Sequence, residues 1–248
     1  MSKIVQISCL GSMGRFGNQL LQYAVARKYA QDAGAILETP SWIGQKLFGL
    51  TDPPISRRMS RTPPDVLEWG KGNTDLFGYF QFQDAVGHLR RNELKQWFKI
   101  KQCWLDLCPH RTNYIAAHIR RGDYVTNAAH VYATISEQSY LNACAKFGLD
   151  TNKLIFVRED APQRVPELEK EGLGFLPDFV TLLEADVLLR ANSTFSWWAG
   201  CLGSGTVYAP LVNDLVGRQD VEFIEGNWPK MCSPRNSGGN LTDLYVPD

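Results

Sequence analysis

Short apolar runs alternate along this chain with longer stretches in which apolar residues recur every three or four positions, and glycine or proline separates many of them. Lys3–Leu10, with β-branched Ile4, Val5 and Ile7, predicts a strand. It ends in a glycine-punctuated loop from Gly11 to Gly17. Leu20, Leu21, Ala24 and Val25 then repeat on one face, which predicts a helix to Asp32 with Asn18 as its N-cap. Residues 39–73 carry Pro40, Pro53, Pro54, Pro63 and Pro64 and read as a long irregular loop with short helical pieces. Loops of that length are uncommon without a task. Leu76–Gln81 predicts a strand and Asp84–Lys99 a helix.

The second half repeats the alternation. Tyr114–Arg120 predicts a strand, Ser136–Phe147 a helix capped by Ser136, Lys153–Val157 a strand and Pro162–Glu171 a helix. Asp178–Arg190 predicts one amphipathic helix with an acid at its start, where the helix dipole favours negative charge. Phe195–Leu202 predicts a short helix, Thr206–Ala209 a strand, and the polar tail after Trp228 a loose segment. Strands alternating with helices imply an α/β class with mainly parallel sheets covered on both faces.

Composition narrows the function classes. The 248 residues suffice for one large domain or two small ones around a cleft. Lys plus Arg and Asp plus Glu both number 26, so the basic surplus of a nucleic-acid binder is missing and no nucleic-acid partner is expected. The opening MSKIVQISCL lacks the long apolar region of a signal peptide, and no run is long enough to span a bilayer. Peripheral contact with a membrane stays open. None of Cys9, Cys103, Cys108, Cys144, Cys201 and Cys232 has close metal-ligand spacing, so free thiols and a cytoplasmic location are expected.

Three segments carry candidate chemistry. His118-Ile119-Arg120-Arg121-Gly122-Asp123-Tyr124 lies at the end of an apolar strand, where open α/β sheets bind ligands. Guanidinium groups there suit a diphosphate, because they pair bidentately with phosphate oxygens. An exposed loop with an arginine bridged to Asp123 fits the spacing as well. Gly14-Arg15-Phe16-Gly17-Asn18-Gln19 permits close backbone approach ahead of a helix N-terminus, and a plain tight turn fits equally. Asn192-Ser193-Thr194-Phe195-Ser196-Trp197-Trp198 places hydroxyls at a helix start, with the paired tryptophans read as core. Asp178, upstream of it, either caps its helix or accepts from a nucleoside. No D-x-D sequence occurs, so no metal is expected to hold a diphosphate, and arginine would have to do so.

Together these segments resemble the alpha-1,2-fucosyltransferases, glycosyltransferase family 11. That family carries G-G-L-G-N-Q, G-Y-F-Q, H-I-R-R-G-D-Y and S-T-F-S-W-W in this order. The chain has Gly14–Gln19 (GRFGNQ), Gly78–Gln81 (GYFQ), His118–Tyr124 and Ser193–Trp198. It is more distantly similar to alpha-1,6- and protein O-fucosyltransferases, whose loop the Arg15-Phe16 pair resembles.

The resemblance implies a GT-B-like fold of two Rossmann-like halves facing a cleft. Residues 1–112 would form the acceptor-side half and 113–248 the half that binds the GDP-sugar. It also implies GDP-L-fucose as donor substrate, no cofactor or metal, a glycan acceptor, and inversion at the fucose anomeric carbon. Arg120 matches the arginine on the donor diphosphate, with Arg121 a second candidate. His118 matches a donor-binding histidine, and Asp178 an acid on the guanosine. Ser193, Thr194, Phe195 and Ser196 match the segment holding phosphates and nucleoside. Gly14, Arg15, Phe16, Gly17 and Asn18 match the N-terminal donor loop. Asp123 is placed to orient Arg120 or to act as base. The function expected is alpha-1,2 transfer of fucose to galactose or a similar sugar. Another GDP-sugar, a protein hydroxyl acceptor, or a non-catalytic nucleotide- or glycan-binding protein are the alternatives.

Overall fold

The computed structural model describes residues 2–126, 132–212, 217–227, 231–232, 241–242 and 246–247. The loose tail read after Trp228 falls mostly outside the described residues. The chain divides into two units, Met1–Lys101 with Val246–Asp248, and Gln102–Tyr245.

The first unit is built on a four-stranded parallel sheet of order β2-β1-β4-β3, from β1 (Ile4–Gln6), β2 (Ile36–Glu38), β3 (Arg61–Thr62) and β4 (Thr74–Leu76). Helix α1 (Phe16–Asp32) connects β1 to β2, with α2 (Ile43–Phe48), α3 (Gln83–Val86) and α4 (Arg91–Trp97) following along the chain. α1 buries Leu20, Leu21, Ala24 and Val25, the residues its spacing predicted, and Tyr23, Ala26, Tyr29 and Ala30 besides.

Four details depart from the sequence reading. α1 begins at Phe16 with Arg15 at its N-cap, and Asn18 lies inside its first turn. The strand expected over Leu76–Gln81 stops at Leu76, because Phe80 adopts φ +56 and Gly78 φ +158, which no pleated strand accommodates. The helix expected over Asp84–Lys99 is two helices interrupted at Gly87. The irregular 39–73 region holds α2 and also β3, which pairs with β4.

The second unit is a five-stranded sheet of order β11-β9-β8-β5-β7. After α5 (Gln102–Leu105) come β5 (Ile115–Ile119), β6 (Ala133–Ile135), α6 (Glu137–Phe147), β7 (Leu154–Arg158), α7 (Pro166–Lys170), α8 (Leu176–Leu183), β8 (Val187–Leu189), α9 (Thr194–Leu202), β9 (Thr206–Pro210), β10 (Gly217–Gln219) and β11 (Phe223–Glu225). Within this sheet all pairings are parallel except β11 with β9; β6 pairs separately with β10 in parallel, and Met231–Cys232 pairs antiparallel with Leu241–Thr242. Every residue of β5 is buried. A strand covered on both faces reads as a continuous apolar run, which is why it was visible in the sequence. Ser136 caps α6 as expected, accepting from the Ser139 amide.

The helix expected over Asp178–Arg190 ends at Leu183, and Val187–Leu189 is an inner strand instead. The run Val187-Leu188-Leu189 extends a helical apolar pattern as readily as it forms a buried strand, so periodicity alone misassigned it. Cys9, Cys108, Cys144 and Cys201 are buried free thiols and Cys103 is an exposed one. Among the described residues, no helix is long and apolar enough to cross a membrane.

Candidate active site

The chain leaves β5 for β7 on one side of it, and β8 lies on the other. The connections therefore part between β5 and β8, and ligands of such sheets bind outside the strand ends at that point. Parallel pairing brings the loops after β5, β7 and β8 to the same C-terminal edge. Those loops carry the HIRRGDY segment, residues 158–163 and the segment preceding α9.

His118 and Arg120 are two residues apart and so leave β5 on one face. His118 is 4% exposed, and its ring lies 5.6 Å from that of Phe195. Burial, with a contribution from the Arg120 charge, pushes the imidazole pKa down to about 3, so the ring is neutral at physiological pH. Its Nδ1 is buried without a hydrogen-bond partner. The Tyr140 hydroxyl donates to the His118 carbonyl at 2.7 Å and fixes the strand end from below.

Arg120 is held on three sides. Its Nη1 pairs with Glu159 Oε1 at 2.7 Å, and its Nη2 donates to Asp123 Oδ1. The Tyr124 ring lies 4.7 Å from the guanidinium carbon. Arg120 Nε is buried without an acceptor. Arg121 goes elsewhere: its Nη2 donates to Glu137 Oε1 at 2.8 Å, and Arg158 grips the same carboxylate with two bonds of 2.8 Å. These arginines hold the Glu137 carboxyl below its ordinary range, Arg158 foremost. Asp123 pairs with Arg120, because the 3-10 turn Gly122–Val125 folds it back toward that guanidinium.

Ser193 caps α9, accepting from the Phe195 amide at 3.3 Å. Ser196 is fully buried, and its hydroxyl bonds the amide and carbonyl of Ala191. It shapes the loop from within, whereas Thr194 and Phe195 are part-exposed at the helix start. Phe195 also packs edge-on against Phe179, 5.2 Å between centroids, which joins α8 to α9 and to His118. Asp178, in the first turn of α8, is 7% exposed and accepts at Oδ1 from the Gln163 amide and side chain, both at 3.1 Å. Burial raises its pKa, and the Gln163 bonds oppose that rise. His118, Arg120, Asp123 and the Ser193–Ser196 segment are thus linked at one sheet edge, with Asp178 beside Phe179 of the same cluster.

The remaining candidates lie in the first unit. Gly14 adopts φ +77 and approaches Asn18 and Tyr79 so closely that a Cβ would sit 2.8 Å from both. Asn18 Oδ1 accepts from Gln81 at 2.7 Å, and buried Gln22 donates to Gly78 O at 3.1 Å. The GRFGNQ and GYFQ segments are therefore one structure, with Gly17 and Phe16 buried in it and Arg15 exposed at its tip. Sequence reasoning gave no role to Tyr124 or Glu159. The signal for Glu159 was its position just past β7, a neighbour of β5. Among the described residues, no three His, Cys, Asp or Glu side chains group so as to hold a metal ion.

The sequence profile described as Glycosyl transferase family 11 matches residues 68–160. The stretch similar to that family is less than half of the chain. It contains the GYFQ and HIRRGDY segments together with Glu159. A comparison with curated protein sequences gave no match. Among solved structures, NodZ alpha-1,6-fucosyltransferase soaked with GDP-fucose aligns with a TM-score of 0.54 at 16% identity, over 91% of this chain and 100% of that one. Fucosyltransferase NodZ from Bradyrhizobium gives 0.57 at 14%, over 91% and 99%. A mutant of Arabidopsis thaliana FUT1 in complex with GDP gives 0.51 at 13%, over 98% and 78%. At these identities the likeness is one of fold, a GT-B-like α/β architecture.

Proposed function

We propose that this chain is a fucosyltransferase that moves L-fucose from GDP-L-fucose to a glycan hydroxyl. The observation that carries the reading is Arg120, preoriented at the sheet edge where α/β folds bind ligands, within the segment that matches family 11. The likeness in fold to NodZ soaked with GDP-fucose and to FUT1 with GDP supports the donor class.

In the proposed reaction the acceptor oxygen attacks the anomeric carbon of fucose with inversion. The bond from that carbon to the GDP oxygen breaks, and its electron pair stays on the diphosphate. The attacking hydroxyl gives its proton to a base. Arg120 meets the charge that grows on the diphosphate, without a metal. Asp123, paired to Arg120, orients it and is the candidate base of the HIRRGDY turn. His118 contributes as a neutral ring, and Ser193, Thr194, Phe195 and Ser196 at the start of α9 are assigned to the phosphates and nucleoside. Asp178 is assigned to the guanosine. Gly14, Arg15, Phe16, Gly17 and Asn18 are assigned to the donor as well. Free thiols suit a reducing, cytoplasmic setting.

The acceptor is proposed as galactose or a similar sugar, linked alpha-1,2. The test is an acceptor array incubated with GDP-fucose and read by mass spectrometry with linkage analysis. An alpha-1,2-fucosylated glycan supports the whole reading. An alpha-1,6 product keeps the transferase and removes the linkage. Transfer only from another GDP-sugar removes the donor, and GDP binding with no turnover removes the enzyme.

A further inference from the structure

Arg120 is fixed by a carboxylate that lies outside every motif of the chain. Glu159 follows β7 directly, and the register opposes Ile119 to Arg158, so Arg120 and Glu159 leave the sheet side by side. Glu159 Oε1 then meets Arg120 Nη1 at 2.7 Å, with the two side chains 23% and 14% exposed. Gly122 adopts φ +40 against the same carboxylate, and a Cβ there would overlap it. The loop carrying Arg120 is therefore seated on Glu159.

Asp123 cannot do this work by itself. It lies in the short turn that begins two residues after Arg120, on the same stretch of chain. Glu159 stands on a separate strand whose backbone is bonded in register to β5. A long, flexible side chain is fixed more firmly by a partner on a different rigid element than by one on its own loop. Stabilising a charge that appears during the reaction demands such a direction in advance.

We propose that Glu159 is a positioning residue, which aims the Arg120 guanidinium at the leaving diphosphate. The inference rests on the role given to Arg120 above. Its means is the acceptor oxygen of Glu159 rather than the negative charge: two carboxylates on one guanidinium already leave the group net negative, which a diphosphate would not favour.

Glu159→Gln and Glu159→Met have similar length, and only Gln keeps an acceptor oxygen. Each is made alone and in an Arg120→Ala background, checked for folding by thermal melt, and assayed for kcat and donor KM. The Gln variant should keep kcat within about threefold of the parent, with donor KM unchanged or lower. The Met variant should lose kcat on the order of tenfold to 100-fold, as a misdirected group does. In the Arg120→Ala background Glu159→Met should cost nothing further, since its effect runs through Arg120. Equal losses in Gln and Met, or a full additional loss in the Arg120→Ala background, would overturn the positioning role. Wild-type turnover in Arg120→Ala alone would instead sink the reading of Arg120.

Discussion

Tyr124 donates its hydroxyl hydrogen to the carbonyl oxygen of Asn192 at 3.2 Å. One residue follows β5 and the other follows β8, so this bond ties together the two loops on either side of the point where the strand connections part. The same ring lies under Arg120 and stacks on Tyr132, 4.4 Å between centroids and 8° from parallel. Burial raises the Tyr124 pKa, which keeps the hydroxyl a donor at any working pH. Tyr124→Phe removes the bond and keeps the stack. It should cost about 1 kcal/mol of stability in denaturant unfolding, with a small fall in kcat. Tyr124→Leu removes both and should lower kcat further. Equal kcat in the two variants would deny the ring any part in holding Arg120.

How far the sequence revealed this arrangement depended on which forces were local. The burial of β5, the glycine loop before α1 and the Ser136 cap are written in neighbouring residues, and each could be read directly. β8 could not, because Val187-Leu188-Leu189 becomes a strand only through pairing with β5 and β9. Asn18 looked like an N-cap because of its type, yet its side chain is claimed by Gln81, 63 positions away. Glu159 and Tyr124 act through residues on other loops, and no spacing rule connects them.

Gly122→Ala places a methyl group against the Glu159 carboxylate at a backbone φ of +40. The left-handed conformation alone costs a non-glycine residue about 1 kcal/mol or more, and the overlap must also be relieved by moving the loop. The variant should melt earlier than wild type and should lose kcat beyond what Tyr124→Phe loses. Wild-type kcat in a destabilised Gly122→Ala protein would show that the loop tolerates displacement from Glu159.

The neutral His118 leaves a mark on stability. Its pKa is about 3 in the folded chain and 6.5 ordinarily. Between those values the unfolded chain binds a proton at this site that the folded chain does not, so stability rises with pH across that window. The contribution is complete above about pH 6.5 and is lost as pH falls toward 3. Wild type should therefore lose more stability than His118→Gln between pH 7 and pH 5, measured by urea unfolding. Parallel curves for the two proteins would mean that the ring is not held neutral.

Transfer from GDP-fucose should survive excess EDTA. The sequence lacks a D-x-D pair, and the proposed mechanism gives the countercharge to Arg120. Loss of activity on chelation, with recovery on adding a divalent ion, would show that arginine does not carry the leaving group unaided.

The two adjacent arginines should differ sharply in what their loss does. Arg120 lies on the His118 face of the strand end, 14% exposed, with its guanidinium fixed by Glu159, Asp123 and Tyr124. Arg121 leaves the strand on the other face and joins Arg158 on Glu137. A part-exposed ion pair of that kind contributes about 1 kcal/mol or less, and it braces α6 against β7. Breaking the bond from sugar to GDP adds charge to a diphosphate, and a preorganised cation is the large term in meeting it. Arg120→Ala should therefore lower kcat on the order of 100-fold or more. Arg120→Lys keeps the charge but not the planar fork with its fixed, bidentate donors, and should recover only part of that loss. Arg121→Ala should show a lower melting temperature and a kcat within several-fold of wild type. Single-turnover kinetics on the three variants decides the matter. A greater loss of kcat in Arg121→Ala than in Arg120→Ala would exchange the two roles and move the diphosphate to the Glu137 side of the strand.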